Sequence, residues 1–357
     1  MIPARRALLT EPYDDRPPCH YCGHCMDGCD VGAIFTIPNS MLPKARKTGN
    51  FTLIPNKLAH EIQVDREGKV RAISVIDTVT RREEAIRARI FAVCCGTVES
   101  ARLLLNSRSP QFPNGLANSS DLVGRYLTGH VNATVFGYLE ELVGSKPANN
   151  DGAYDHSYIP RFNMNRKKRG YAGGYHYQLQ LYTYMYPHHA KRLHGFGKAF
   201  KREVRSLQLG MASLDGYGKV LARPENRVTV DQHHLDAYGI PIPVVHFRFG
   251  ENDRILWKEM GEKAQEILHA ARSQFMFSAT PELTGFASHE TGTARMGKAP
   301  RNSVLNSFCQ AHDVKNLFVV DGSCFTTFPE KNPTHTIMAL AVRTARYIAG
   351  EFKKGSL

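Results

Sequence analysis

Two short apolar runs, each ending in glycine and each followed by a helical pattern, constrain this chain more than any other feature. The first is Arg89-Ile-Phe-Ala-Val-Cys-Cys-Gly96. A nearly continuous apolar stretch of this length is the pattern of a strand buried on both faces, as in a parallel sheet. Directly after it, Val98, Ala101, Leu104 and Leu105 recur at helical spacing, with Thr97 placed as N-cap. The second run, Asn316-Leu-Phe-Val-Val-Asp-Gly322, repeats the unit near the far end of the chain. Beyond a loop, Asn332 as N-cap and Pro333 in the first helical position open a helix whose Ile337, Ala341, Ala345 and Ile348 line one face. The expectation is therefore one α/β layer in which Ile90–Cys95 and Val319–Asp321 are both strands, despite the long stretch between them.

That intervening stretch has a different texture. Ile62 to Val70 reads as the turn region of a β-hairpin, with Glu67-Gly68 at the turn. From Asn132 to about Thr280 the chain is rich in Tyr and His, and Tyr175–Tyr182 alternates as antiparallel strands do. Arg254 to Ala271 has the period of an amphipathic helix. The pattern implies a mixed α/β (α+β) chain: a nucleotide-type domain built from both chain ends, with an antiparallel-sheet domain inserted in the middle.

Bulk properties narrow the class. At 357 residues the chain exceeds one simple core, and 42% hydrophobic content with a single Trp suits a soluble globular enzyme. No apolar run approaches the ~18 residues of a membrane-spanning helix. Met1-Ile-Pro-Ala-Arg-Arg6 is not followed by the apolar core of a signal peptide, so none is expected on this chain. The net charge of +13 raises nucleic acid as a partner. The basic residues are scattered, however, and the runs Arg166–Arg169 and Lys198–Arg205 are short and carry no nucleic-acid motif. An exposed basic face is the expectation, with no nucleic acid bound.

Cysteines fall into distinct groups. Cys94 and Cys95, adjacent in an apolar strand, read as buried small hydrophobes. Cys19, Cys22, Cys25 and Cys29 have the C-x2-C-x2-C-x3-C spacing of a bacterial ferredoxin, except that Asp30 stands where proline is usual. Iron–sulfur ligation, a zinc knot, a disulfide and structural thiols all remain open for these four.

The sequence motifs with chemical content lie toward the C-terminus. His289-Glu-Thr-Gly-Thr-Ala-Arg-Met-Gly297 is followed by Val319-Val-Asp-Gly-Ser323 and then Asn332-Pro-Thr-His-Thr336. In this order and spacing they resemble the C-terminal signature of the glucose–methanol–choline oxidoreductases. The resemblance extends to Phe91–Ser107, similar to that family's second signature with Ala101 where proline is usual. It also covers Gly115–Ser120, Val123–His130, Asn226–Asp231 and Asp236–Pro241, the last two resembling the gluconate- and glucose-dehydrogenase branch.

The resemblance implies an FAD-dependent oxidoreductase acting on the CH–OH group of a sugar, sugar acid or polyol, with electrons passed to a carrier. By position it puts His289 at the catalytic base and Asn332 beside the same substrate oxygen. It puts Asp321 and Gly322 near the ribityl and pyrophosphate chain of the cofactor, and Gly96, Pro333, Thr334 and His335 elsewhere along it. The helix opening at Pro333 is implied to aim its free amides and dipole at the pyrimidine edge of the flavin. Some bacterial members hold an iron–sulfur cluster in a comparable cysteine-rich loop and others do not. The implied domains are 1–130 (cysteine-rich segment and partial FAD-binding domain), 131–285 (substrate-binding domain) and 286–357 (catalytic and C-terminal FAD-binding segment).

Full-length relatives open on a βαβ unit carrying G-x-G-x-x-G, which cradles the FAD pyrophosphate. No such motif occurs in this sequence. The expectation is a truncated chain, or one completed by a separate N-terminal half, that binds FAD weakly on its own. The rival readings are a non-catalytic remnant and an iron–sulfur electron-transfer module.

Overall fold

A computed structural model describes residues 1–3, 6–22, 25, 28–146, 157–164, 169–182, 185–278 and 289–357. The expected domain boundary at 285/286 and the basic residues Arg166–Lys168 lie outside the described residues. In chain order the elements are β1 (Ile2–Pro3), α1 (Ile37–Lys47), β2 (Lys57–Val64), β3 (Val70–Asp77), β4 (Glu83–Arg87), β5 (Phe91–Val93) and α2 (Thr97–Asn106). Next come β6 (His130–Leu139), β7 (Ser157–Ile159), β8 (Tyr175–Leu181), α3 (Pro187–Ala190), α4 (Gly197–Leu207), β9 (Met211–Lys219), β10 (Arg227–Leu235) and β11 (Pro241–His246). The chain ends with α5 (Glu251–Ala270), β12 (Ser273–Ser278), β13 (Leu317–Val319) and α6 (Thr334–Lys353). These group into two compact units. One comprises Ile54–Val131, Lys219–Asp253 and Thr284–Leu357; the other comprises Met1–Leu53, Asn132–Gly218 and Arg254–Leu283.

The first unit contains the pair anticipated from the apolar runs, although the second strand ends at Val319, so Val320 and Asp321, expected within it, lie beyond its end. β13 lies parallel to β5, with Leu317 opposite Phe91 and Val319 opposite Val93. Leu317, Phe318 and Val319 are fully buried, each contributing on the order of 1.5–3 kcal/mol by leaving water. β5 differs from expectation. Phe91 and Val93 face the core, whereas Ala92, Cys94 and Cys95 are exposed. A strand turns alternate residues to opposite faces, and here one face alone is covered, which an unbroken apolar run does not reveal.

Both helices following these strands form, with different caps from those expected. α2 has Gly96 as N-cap, and Thr97 sits in its first turn with its hydroxyl donated to the Glu290 carbonyl at 2.7 Å. α6 has Pro333 as N-cap, with no side-chain cap bond. Asn332 does not cap it, because its amide faces the His289 imidazole at 3.4 Å. The face of α6 packed on the core is Ile337, Leu340, Ala341, Tyr347 and Ile348, with Thr344 buried among them and Ala345 exposed.

β2, β3 and β4 form an antiparallel sheet whose first turn is the expected one. The Asp65 carboxylate accepts from the amides of Glu67 and Lys69, and Gly68 takes φ 79°. Hairpin β10–β11 also belongs to this unit. It turns at Asp236, whose carboxylate meets Arg102 of α2 at 2.7 Å. Asn316, buried just before β13, accepts from the Val70 amide at 3.1 Å and donates to the carbonyls of Val70 and Arg89.

The second unit is built on a six-stranded sheet of order β1-β7-β8-β9-β6-β12, and its β7–β8 and β8–β9 pairings are antiparallel. α5 forms within two or three residues of the expected span and buries Leu256, Met260, Ala264 and Leu268 at four-residue steps. Tyr175 and Tyr177 of β8 are fully buried. Tyr177 donates to the Met260 carbonyl, and Tyr175 and Tyr171 both donate to Glu259. These rings pack in the interior of this unit.

Asn316 joins two strands that the sequence holds far apart. Removing its amide leaves the buried Val70 peptide unpaired, at about 1–3 kcal/mol for each orphaned group. Asn316→Ala should lower the urea midpoint by the equivalent of about 3 kcal/mol, and an unchanged midpoint would refute this role.

Candidate active site

The ends of β5 and β13 are tied by one carboxylate. Asp321 follows β13 and is buried. One of its oxygens accepts from the Gly96 amide at 3.0 Å and from the Ser100 hydroxyl; the other accepts from the amide and hydroxyl of Ser323. All four donors come from the protein, so Asp321 shapes the turn from within. Gly322 is required here by close approach. A Cβ at this position would lie 2.8 Å from Thr97 Oγ1 and 2.9 Å from the Glu290 carbonyl.

The segment beginning at His289 is stitched to the same turns. Thr97 bonds the Glu290 carbonyl, the Gly292 amide donates to the Gly322 carbonyl at 3.0 Å, and Thr293 Oγ1 donates to the Thr97 carbonyl at 2.8 Å. His289 itself adopts φ 78°. A non-glycine residue in the left-handed region costs free energy that the surrounding bonds must offset, and such residues cluster at functional sites.

The imidazole of His289 is held from two sides. Its Nε2 lies 3.4 Å from Asn332 Nδ2, and its Nδ1 lies 3.1 Å from Nδ1 of His130, at the start of β6. Nε2 of His130 lies 3.1 Å from the Pro329 carbonyl oxygen. Burial pushes the His289 pKa down from 6.5, against an opposing pull from Glu290, so the neutral ring is favoured. The structure thus brings His289 and Asn332 together and adds His130, which sequence reasoning missed. Its only signal was a histidine closing the segment Val123–His130.

The remaining candidates spread around this pair. Pro333 is buried, while Thr334 and His335 are exposed at the start of α6. That helix start carries no side-chain cap and no acidic residue in its first turn. Its first amides have no intrahelical partner. They suit a group that gains negative charge, as a flavin does on reduction. Gly96 has no heavy atom within 4 Å of where a Cβ would stand, leaving its backbone open to close approach. This donor set fits an FAD. In the other unit, Asp215 of β9 is buried, and desolvation pushes its carboxyl up to about 6 against hydrogen bonds from Thr134 and Ser213.

Cys19, Cys22, Cys25 and Cys29 are all free thiols of intermediate exposure. They line one small cavity with Leu8, His20, Val31 and Ile34. Among the described residues, His20, Cys22 and Asp30 place their donor atoms within 4.8 Å of one another. Among the described residues no helix is long and apolar enough to cross a membrane.

Residues 9–132 and 222–341 match the N-terminal and C-terminal profiles of the family described as GMC oxidoreductase. The chain is 29% identical to the fructose dehydrogenase large subunit of Gluconobacter japonicus, covering 99% of this chain and 63% of that protein. It is 31% identical to 2-methyl-1,2-propanediol dehydrogenase of Mycolicibacterium austroafricanum, over 98% of this chain and 63% of the relative. The chain therefore spans less than two thirds of the length of either protein. The crystal structure of pyridoxine 4-oxidase from Mesorbium loti shares the fold, with a TM-score of 0.60 at 17% identity, covering 89% of this chain and 62% of that one.

The Asp321 knot has a sharp test. Each carboxylate oxygen accepts from two donors, so an amide at this position would present N–H groups to donors. Asp321→Asn should lose about 3 kcal/mol, since bonds to a charged group contribute ~1.5–3 kcal/mol each. Chemical denaturation reads the change; an Asn variant as stable as the parent would refute the four-donor arrangement.

Proposed function

This chain belongs to the GMC oxidoreductase family, and from that premise we propose that it serves FAD-dependent dehydrogenation of a CH–OH group in a sugar, sugar acid or polyol. The carrying observation is the pairing of His289 Nε2 with Asn332 Nδ2 at 3.4 Å. Two relatives, a fructose dehydrogenase large subunit and a 2-methyl-1,2-propanediol dehydrogenase, support the substrate class.

An alcohol carbon releases hydride only as its hydroxyl proton is withdrawn. Neutral His289 receives that proton at Nε2, and its lowered pKa keeps it ready to do so. Asn332 donates its amide to the same oxygen, which holds the substrate without competing for the proton. As negative charge grows on the oxygen, the newly charged imidazole and the Asn332 amide stabilise it. FAD, when bound, supplies the two-electron acceptor for the hydride. The residues that would hold it are Gly96, Gly322 and the first-turn amides of α6 at Thr334 and His335, with Pro333 setting the helix start and Asp321 fixing the Gly96 turn.

Stopped-flow flavin reduction in the FAD-loaded protein tests these roles. His289→Ala should slow reduction by ~10²-fold or more, the scale of a lost general base. Asn332→Ala should cost about tenfold, the worth of one hydrogen bond. Because the base acts unprotonated, kcat/KM should rise with pH through an apparent pKa below 6.5, and that acid limb should vanish in His289→Gln. A larger loss in His335→Ala than in His289→Ala would overturn the assignment.

A second reading concerns the cysteine loop. We propose that Cys19, Cys22, Cys25 and Cys29 hold an iron–sulfur cluster that passes electrons toward an acceptor protein. Their ferredoxin-type spacing supports it. Anaerobically purified protein should carry iron and acid-labile sulfide, and Cys22→Ser should lose both. A disulfide between any two of these cysteines would contradict it.

A further inference from the structure

We propose that His130 is a positioning residue that decides which nitrogen of His289 carries the proton. This rests on the reading of His289 as the base, and it follows from the direction of one hydrogen-bond chain. A carbonyl oxygen only accepts, so His130 Nε2, at 3.1 Å from the Pro329 carbonyl, must be the N–H end of its ring. In its neutral form His130 then presents a lone pair at Nδ1. Facing it at 3.1 Å is His289 Nδ1, and two lone pairs at that separation would repel. His289 therefore supplies the N–H, which leaves its Nε2 bare toward the Asn332 amide. The chain runs one way, from Asn332 through His289 and His130 to Pro329.

The ring geometry agrees. The two centroids are 5.1 Å apart with planes at 81°. That separation is nearly what an N···N contact in line with both ring radii would give, so the two Nδ1 atoms point at each other edge to edge. His130 is 1% exposed and packs on the Phe328 ring at 4.5 Å. The segment from Phe328 to Asn332 thus clamps the His130 ring, anchors its proton and faces the base. The opposite tautomer of His289 would put N–H at Nε2 and leave no lone pair for the substrate proton. When His289 takes that proton, the bond to His130 stays as it was, so no partner has to turn during the transfer.

Selective ¹⁵N-histidine labelling of the FAD-loaded protein, read by long-range ¹H–¹⁵N correlation, reports which nitrogen bears hydrogen. His289, assigned by its loss in His289→Gln, should be protonated at Nδ1 and bare at Nε2. His130→Phe removes the acceptor and should move the proton to Nε2. It should also lower kcat on the order of 10²-fold with little change in KM, the scale of a lost base. His130→Asn offers an amide oxygen where Nδ1 stood and should restore both the tautomer and most of kcat. A wild-type His289 protonated at Nε2 overturns the proposal, and that spectrum decides the matter even if His130→Phe does not fold. An unchanged tautomer in folded His130→Phe overturns it too. Should His289→Ala stay active while the tautomer behaves as described, the base reading falls and the positioning role stands.

Discussion

The joining of the β5 and β13 ends depends on the Asp321 carboxylate. A buried carboxylate is costly unless fully bonded, and this one is satisfied by four donors, from the Gly96 amide, Ser100 of α2 and the amide and hydroxyl of Ser323. Satisfying it fixes Gly96 and Gly322 in space. Those two turns then receive the segment after His289 through Thr97, Gly292 and Thr293. The positive φ of His289 is held by the bonds made just after it, at Glu290 and Gly292. A hydrogen-bonded carboxylate thus converts the pairing of two short strands into the placement of an imidazole.

That imidazole is then specified electrostatically as well as sterically. Burial favours its neutral form, and a carbonyl two residues removed along the bond chain orders its protons. Neither effect needs a charged partner. Among the described residues, a second imidazole and a backbone oxygen line up with His289 Nδ1.

Much of the architecture could be read from the residues. The two apolar runs ending in glycine foretold the parallel pairing of β5 with β13, and alternation foretold β8. What failed was local competition for the same side chain. Thr97 and Asn332 have good N-cap chemistry, but each spends its polar group on a distant partner, Glu290 and His289. Helical spacing nominated Ala345 for the core, yet Leu340 and Thr344 fill the face, because tertiary packing rotated the stripe by part of a turn. At the site, His289 and Asn332 were visible through motif order. His130 was not, since a buried histidine opening a strand has no distinguishing pattern until its ring is seen against Pro329 and His289.

The position of a bound alcohol is the most direct test. In a crystal structure of the flavin-loaded protein holding substrate, the hydroxyl oxygen should lie at ~3 Å from both His289 Nε2 and Asn332 Nδ2. An oxygen held instead by His335, or by any group that leaves His289 Nε2 out of reach, would contradict His289 as the proton acceptor.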